Sequence, residues 1–445
     1  MLRPYQEKIV DETRALMRDG HKDILIVAPT GSGKTVLTAH MLKTAAQRGM
    51  DSIFVVHRRE LIRQSIKTFH KFQLTHGVIS PDYIEDLRHK VQIASIMSLG
   101  RRLPRMRKPA LVVWDECQHS PAKSWANVHA AFPGSYHIGL SATPQRIDRK
   151  GLGKYFKKIV HGPSVAALIE QGSLSRYRIF APGNGMADKP TITGDAIREY
   201  KARAAGKRAL VFAASIQDSN YVVEQFKLAG FRAAHVDGES ESSYRDDMFQ
   251  ALEEGELDVL SQVQIAGEGV DIPAIEVVID LSPTTSLAAW LQRCGRALRP
   301  WPGKTEALIL DHAGNCERHG LPDEPREWVL EGDGLAKRDN DTGPSLRICK
   351  KCFAAQFPGS GTCQYCGNAF EIKARKIART EGRLKEMTPE MILAQREKAR
   401  QRQANAFEQS SARTYEQLVE LGRRRGYVNP ESWAHHITRS RRGRS

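Results

Sequence analysis

Asp23-Ile24-Leu25-Ile26-Val27-Ala28-Pro29-Thr30-Gly31-Ser32-Gly33-Lys34-Thr35 opens as an apolar run, breaks at a proline and closes on a glycine-rich turn with Lys-Thr. Its first half reads as a buried parallel strand, since a short β-branched run ending at a breaker has that composition. A helical pattern follows through Gln47. Strand, glycine-rich loop, Lys-Thr and helix is the context that separates a phosphate-binding loop from a chance turn. Glycines let successive N–H groups curl around phosphates at a helix N-terminus. On this reading Thr30, Gly31, Ser32, Gly33, Lys34 and Thr35 cradle a nucleotide. Lys34 reaches its β- and γ-phosphates, and the Thr35 hydroxyl ligates Mg²⁺.

Working outward, residues 51–56 and 110–114 are further β-branched runs. The second ends in Asp115-Glu116-Cys117-Gln118-His119, and an acidic pair at the C-terminal end of a parallel strand lies where ligands bind in open α/β sheets. Asp115 can hold Mg²⁺, while Glu116 can orient and deprotonate an attacking water. Without the upstream loop, this pair reads equally well as a helix cap. A strand over 137–140 leads to Ser141-Ala142-Thr143-Pro144, whose short hydroxyls can couple the acidic pair, with Gln118, to the rest of the protein.

Strands over 207–212, 232–236, 257–260, 276–280 and 307–310, with helices between them, predict a second parallel α/β lobe without a phosphate loop of its own. It is therefore a partner for the first site. Its decisive stretch is Gln292-Arg293-Cys294-Gly295-Arg296-Ala297-Leu298-Arg299. Arg296 and Arg299 are three apart on one helix face, a spacing suited to touching a γ-phosphate across a cleft. Asp311 to Asn315 reads as a turn built by Asp and Asn beside Gly.

In this order the segments resemble superfamily 2 helicases and translocases. The resemblance implies that Leu2-Arg3-Pro4-Tyr5-Gln6 reads adenine through Gln6, and that His57-Arg58-Arg59-Glu60-Leu61 and Gln92-Ile93-Ala94-Ser95-Ile96 contact nucleic acid. It implies that Gly269 and Asp271, in Gly267-Glu268-Gly269-Val270-Asp271, line the cleft beside the ribose, with Gln292 nearby and Arg296 and Arg299 on the γ-phosphate. One departure stands out. The fourth residue of the acidic motif is Gln118, where the family has His or Asp; its amide can still hydrogen-bond across the cleft, so hydrolysis is expected and its link to movement is the step in question.

Cys349-Lys350-Lys351-Cys352 and Cys363-Gln364-Tyr365-Cys366 are two CxxC knuckles ten residues apart. Four thiolates at this spacing suit a closed, structural Zn²⁺ site, and Lys350 and Lys351 are candidate DNA contacts. Two disulfides are the alternative in an oxidising compartment. Beyond them, Thr388-Pro389-Glu390 starts a helix and a second runs over about 412–425. Tyr427 and Trp433 are expected to pack this hairpin, and Arg439 to Arg444 to be flexible. Two lobes, a late CxxC pair and a basic tail together resemble RadD-like helicases of bacteria and phages, which implies work in DNA repair, recombination or replication.

The chain of 445 residues carries a net charge of +16, so a polyanionic partner is the natural reading. No apolar run is long enough for a membrane span and no signal peptide is evident, which makes a cytoplasmic protein the expectation. The fold expected is α/β: two tandem RecA-like parallel α/β lobes at 1–165 and 176–325, a zinc module at 345–371 and a basic helical segment at 372–445. The function expected is an ATP-dependent DNA helicase or translocase using ATP, Mg²⁺ and structural Zn²⁺. Its substrate would be single-stranded or branched DNA, with a replication or recombination protein on the tail. An RNA-directed helicase, a DNA-bound ATPase switch without strand separation and a restriction motor remain the alternatives.

Overall fold

The computed structural model describes residues 2–57, 59–119, 123–146, 151–182, 191–265, 272–332, 347–348, 355–356, 362, 367–368, 378–412 and 414–442. They fall into two compact units. One comprises the described residues within 1–183, 191–336 and 379–387, and the other those within 337–378 and 388–445.

The first unit begins with α1 (Pro4–Arg18), which has Pro at its first position, where the missing N–H costs nothing. Strand and helix then alternate through β1 (Asp23–Val27), α2 (Lys34–Gln47), β2 (Ser52–Val56), α3 (Arg59–Lys71), β3 (Gly77–Ile79), β4 (Val91–Ser95), α4 (Ile96–Gly100), β5 (Leu111–Trp114), α5 (Lys123–Ala131), β6 (Tyr136–Ser141) and β7 (Lys158–His161). The seven strands form one parallel sheet in the order β3-β4-β2-β5-β6-β1-β7. Every residue of β2 and β5 is buried, as a parallel sheet covered on both faces requires. The stretch read as a second nucleic-acid motif is β4. Its Gln92 is buried and donates inward to Asp86 O and His89 O at 2.9 and 3.0 Å.

After α6 (Val165–Glu170) come β8 (Tyr177–Pro182), β9 (Thr191–Thr193), α7 (Ala196–Ala204), β10 (Ala209–Phe212), α8 (Ile216–Leu228), β11 (Ala233–Val236), α9 (Ser242–Glu254), β12 (Val259–Gln262), β13 (Val277–Asp280), α10 (Leu287–Ala297), β14 (Ala307–Asp311) and α11 (Asn315–His319). The second sheet runs β11-β12-β10-β13-β14-β8 in parallel, and a last strand joins β8 antiparallel at the edge. The small strands β15 (Arg347–Ile348), β16 (Ala355–Gln356) and β17 (Ala378–Thr380) precede that edge strand, β18 (Leu384–Glu386). Residues 384–386 thus belong to the second lobe and not to a helical tail. Leu384 is buried, and Arg178 forks onto the Glu386 carboxylate at 2.6 and 2.8 Å.

In the other unit α12 (Pro389–Ser411) starts at Thr388, whose hydroxyl accepts from the Met391 N–H. α13 (Tyr415–Arg424) and α14 (Pro430–Arg442) close on Leu418, Val419, Leu421 and Ala434, with Tyr427 and Trp433 rings 5.0 Å apart. Helix α14 continues through Arg442, where flexible chain was expected, because Pro430 and Glu431 start it and Arg423 holds Glu431 at 2.8 Å. The four knuckle cysteines with Lys350 and Lys351, together with Gly269, Asp271 and Arg58, lie outside the described residues. Among the described residues no helix is long and apolar enough to cross a membrane.

Candidate nucleotide site between the lobes

The phosphate loop leaves β1 at Val27, and Ala28 N–H still pairs with Ser141 O at 2.9 Å. Gly31 and Gly33 take φ of +85° and +77°, a left-handed backbone that strains any side-chain-bearing residue. Gly33 caps α2 without a side chain, so the first-turn amides are left for an anion. Space is as restricted as conformation. A Cβ at Gly33 would lie 2.7 Å from Gln6 Nε2, and one at Gly31 2.9 Å from Leu174 Cδ2 and 3.6 Å from Arg299 Cγ.

Gln6 is buried and committed to this loop. Its Oε1 accepts from Arg3 N–H at 3.0 Å, and its Nε2 donates to Ser32 O at 3.1 Å and Gly33 O at 3.4 Å. Tyr5 Oη adds a bond to Ser32 O at 2.8 Å. The side chain expected to read a base is thus part of the scaffold of the phosphate loop here. Lys34 Nζ rests on Ala28 O and Pro29 O at 3.1 and 3.4 Å. Ser32 Oγ and Thr143 Oγ1 are buried hydroxyls without a hydrogen-bond partner among the described residues. A glycine cradle, a free helix N-terminus, a lysine and spare buried hydroxyls suit a nucleotide triphosphate. Thr35 and Asp115 offer the oxygen donors that Mg²⁺ prefers.

Asp115 and Glu116 follow β5 directly. Glu116 has φ of +45°, a strained value for a residue with a side chain and one typical of functional sites. Its Oε2 accepts from Gln118 Nε2 at 2.5 Å. Ser141 Oγ lies 2.7 Å from Gln118 Oε1 and 2.8 Å from Thr143 O, and accepts from the Thr143 N–H at 3.0 Å. Gln118, Ser141 and Thr143 thus form one chain of bonds that ends on the Glu116 carboxylate. Cys117, between the functional residues, is buried, and burial with the Glu116 and Asp115 charges pushes its thiol well above the usual range.

The second lobe enters through α10. Gln292 Nε2 donates to the same Glu116 oxygen at 3.4 Å. One turn on, Gly295 lies so close that an added Cβ would be 2.7 Å from Thr30 Cβ. Arg296 is buried within the helix, but Arg299 lies beyond its C-cap Leu298, so the two do not share one helix face as expected; the Arg299 stem lies over Gly31. Cys294 points the other way and is fully buried. Behind α10, Arg293 donates to both Asp280 carboxylate oxygens at 2.9 and 3.1 Å, and Asn315 donates to one at 3.0 Å. Both Asp311 oxygens accept backbone N–H groups of its own turn, Ala313 and Cys316, and burial raises its pKa to about 6. A cavity of about 180 Å³ lies beside the loop, walled by Thr30, Ala142 and His161 on one side and Leu291, Gly295 and Arg326 on the other.

The structure therefore gathers Lys34, Glu116, Gln118, Ser141, Thr143, Gln292 and Arg299 around one loop. His57 follows β2 at the same sheet end, and Arg59 opens α3. Sequence reasoning passed over Tyr5, Leu174 and Arg63, the last reaching Asp246 and, at 2.9 Å, Ser242 on α9. No local pattern marks them, because each acts on a partner far away in the chain. Among the described residues one Asp/His group could geometrically hold a cation, Asp23 with His129 and His137. Both His137 ring nitrogens are already used, however, Nδ1 by Trp114 Nε1 at 3.2 Å and Nε2 by Phe132 O at 3.0 Å.

The family models named "Type III restriction enzyme, res subunit" and "Helicase conserved C-terminal domain" match residues 1–146 and 190–300. A 51.5 kDa protein of a Lactococcus phage is 30% identical over 371 residues, 79% of this chain and 79% of its own. IRC3 of Saccharomyces cerevisiae, provisionally described as an ATP-dependent helicase, is 27% identical over 355 residues, 71% of this chain and 52% of its own, so this chain spans about half its length. The DNA 3'-5' translocase XPB2 of Sulfurisphaera tokodaii is 23% identical over 371 residues, 70% and 81% of the two chains. A fragment assigned provisionally to the HsdR subunit of a type I restriction enzyme from Vibrio vulnificus shares the fold, with a TM-score of 0.58 at 19% identity over 72% of this chain and 65% of that one. The chain belongs to the superfamily 2 helicases, and it is a nucleic-acid-dependent ATPase.

Proposed function

We propose that this protein couples ATP hydrolysis to movement along DNA, or to remodelling of it, in repair, recombination or replication, as a RadD-like member of its superfamily. The observation that carries the reading is the seating of α10 on the phosphate loop, with Gly295 against Thr30 and Gln292 on Glu116. A nucleotide in that loop is within reach of both lobes, so its hydrolysis has to change how they meet. Lys34 and the α2 N-terminus bind the phosphates, and Glu116 takes the proton from an attacking water. Arg296 and Arg299 stabilise the charge that develops on the transferred phosphate. Mg²⁺ bound by Thr35 and Asp115 would neutralise charge on the phosphates.

DNA as the polymer is supported by the net charge of +16 and by relatives such as XPB2, named as a DNA translocase. His57, Arg58 and Arg59 are the proposed contacts on the first lobe. Gly269 and Asp271 are proposed to line the cleft. Cys349, Cys352, Cys363 and Cys366 are proposed to hold a structural Zn²⁺, with Lys350 and Lys351 on the DNA; the CxxC spacing alone supports this. The test compares ATPase stimulation by single-stranded DNA, duplex DNA and RNA in the wild type and in Lys34→Ala. DNA should stimulate best, and the variant should lose turnover while keeping salt-sensitive DNA binding. Larger stimulation by RNA, or DNA-stimulated turnover surviving in Lys34→Ala, would overturn the reading.

A further inference from the structure

After α10 the chain turns through Pro300-Trp301-Pro302-Gly303, with Gly303 at φ of +80° and Lys304 N–H bonded to Trp301 O at 3.0 Å. The turn folds the half-buried Lys304 side chain back beneath the end of the helix. There its Nζ donates to Arg299 O at 2.7 Å, to Ile275 O at 2.6 Å and to Ala297 O. The last carbonyls of a helix have no partner within it, and a cation there also meets the negative end of the helix dipole. Ser175 assists, its N–H on Leu298 O at 2.7 Å and its Oγ on Arg299 O at 3.3 Å. Ile275 stands two residues before the central strand β13, so one ammonium fastens the end of α10 to the second lobe's sheet.

From this geometry we infer that Lys304 is a positioning residue for Arg299, fixing its backbone so that its side chain leaves toward the phosphate loop. The inference rests on the reading that Arg299 acts on the terminal phosphate. Its stem already lies against Gly31, where an added Cβ would be 3.6 Å from Arg299 Cγ. An ammonium serves three carbonyls with its three N–H bonds, whereas a neutral amine has two and a lone pair that repels the third.

The surroundings make this clamp sensitive to pH. Burial pushes the Lys304 pKa down to about 7; Glu276 opposes this, while Arg299, Lys207 and Arg208 add to it. Glu276 is itself held by Lys207 Nζ at 3.4 Å and by Arg208 N–H at 3.3 Å. Because this pKa lies below the unfolded value of about 10.4, the folded state binds fewer protons between the two values. Through this group the fold therefore gains stability as pH rises across that window. A loss of turnover there is then not unfolding caused by Lys304.

The experiment measures steady-state ATPase from about pH 6 to about 10 with the best-stimulating nucleic acid, for wild type, Lys304→Met, Lys304→Arg and Arg299→Ala, alongside Tm. Lys304→Met should lower kcat about 100-fold, the scale of an ångström of misplacement, with KM for ATP changed less than about 3-fold. The wild type should lose turnover above about pH 7. Lys304→Arg, which keeps its charge throughout, should recover turnover and flatten that limb. Wild-type kcat in Lys304→Met, with Arg299→Ala inactive, overturns the role of Lys304 alone. Wild-type kcat in Arg299→Ala overturns the reading beneath it. If Lys304→Met fails to fold, an alkaline fall that persists in Lys304→Arg overturns the inference.

Discussion

Gln292 in the second lobe and Gln118 in the first donate to the same oxygen of Glu116, at 3.4 and 2.5 Å. The departure at position 118 thereby acquires a physical content. Gln118 does not cross the cleft; it ties Glu116 to Ser141 and Thr143 on its own lobe, and Gln292 makes the crossing. A carboxylate shared by the two lobes moves its hydrogen bonds whenever they part.

Replacing Gln292 by Leu should therefore affect rate and not folding. Glu116 keeps its bond from Gln118, but misplacing a reacting group by about an ångström costs up to ~10²-fold, so kcat should fall roughly 10- to 100-fold with little change in melting temperature. Glu116→Gln should remove at least ~10²-fold of turnover while nucleotide still binds, as expected for loss of a general base. Fluorescent-nucleotide binding alongside ATPase assays separates the two steps. Hydrolysis at the wild-type rate in Glu116→Gln would sink the assignment.

Gly295 offers a sterically defined probe of the same contact. Alanine favours a helix interior over glycine by about 1 kcal/mol, so Gly295→Ala strengthens α10 considered alone. Its Cβ, however, would meet Thr30 Cβ at 2.7 Å, and backbone on both sides keeps either from yielding easily. The lobes must separate, and ATPase should drop by ~10-fold or more, since placement errors of an ångström cost up to ~10²-fold. Full activity in Gly295→Ala, or a variant that simply unfolds, would contradict a wedge acting between lobes.

Much of this was legible in the chain, because the signals are local. The run from Asp23 to Thr35 states strand, loop and helix within thirteen positions, and the central strands β2, β5, β10 and β13 stand out as short apolar runs. What stayed hidden depends on distant partners. Gln6 is recognisable as a polar residue beside a helix start, but nothing local tells that its amide is spent on Ser32 O and Gly33 O. Lys304 sits in Pro-Gly-Lys-Thr, a turn-like stretch with no local mark of a role; the role proposed for it comes from the carbonyls of residues 275, 297 and 299. Leu384–Glu386 is three residues in a charged run, too short for any periodicity, and becomes a strand only because β8 offers an edge. The turn at Asp311 was readable because its acceptors and donors lie within five residues.

On β5, Trp114 stacks on His137, whose ring centre lies 4.1 Å from that of a tilted His129. Burial above all, then the neighbouring His129, pushes the His137 pKa down from 6.5 to about 4. Between those values the unfolded chain takes up a proton that the fold refuses, so this stability is present above about pH 6.5 and lost as pH falls toward 4. Asp23 titrates lower still: despite burial, the His129 hydrogen bond holds its carboxyl below the usual range, and its contribution disappears in a more acidic window. Linkage gives His137 about 2 kcal/mol of lost stability between about pH 7 and 5. His137→Phe keeps the stacking area but cannot protonate. Urea titrations at those two pH values should show the variant losing about 2 kcal/mol less than the wild type, even if it is weaker at neutral pH. Equal losses in the two proteins would mean that His137 is already charged in the fold, and the bond from Trp114 Nε1 to its Nδ1 would then have to be abandoned.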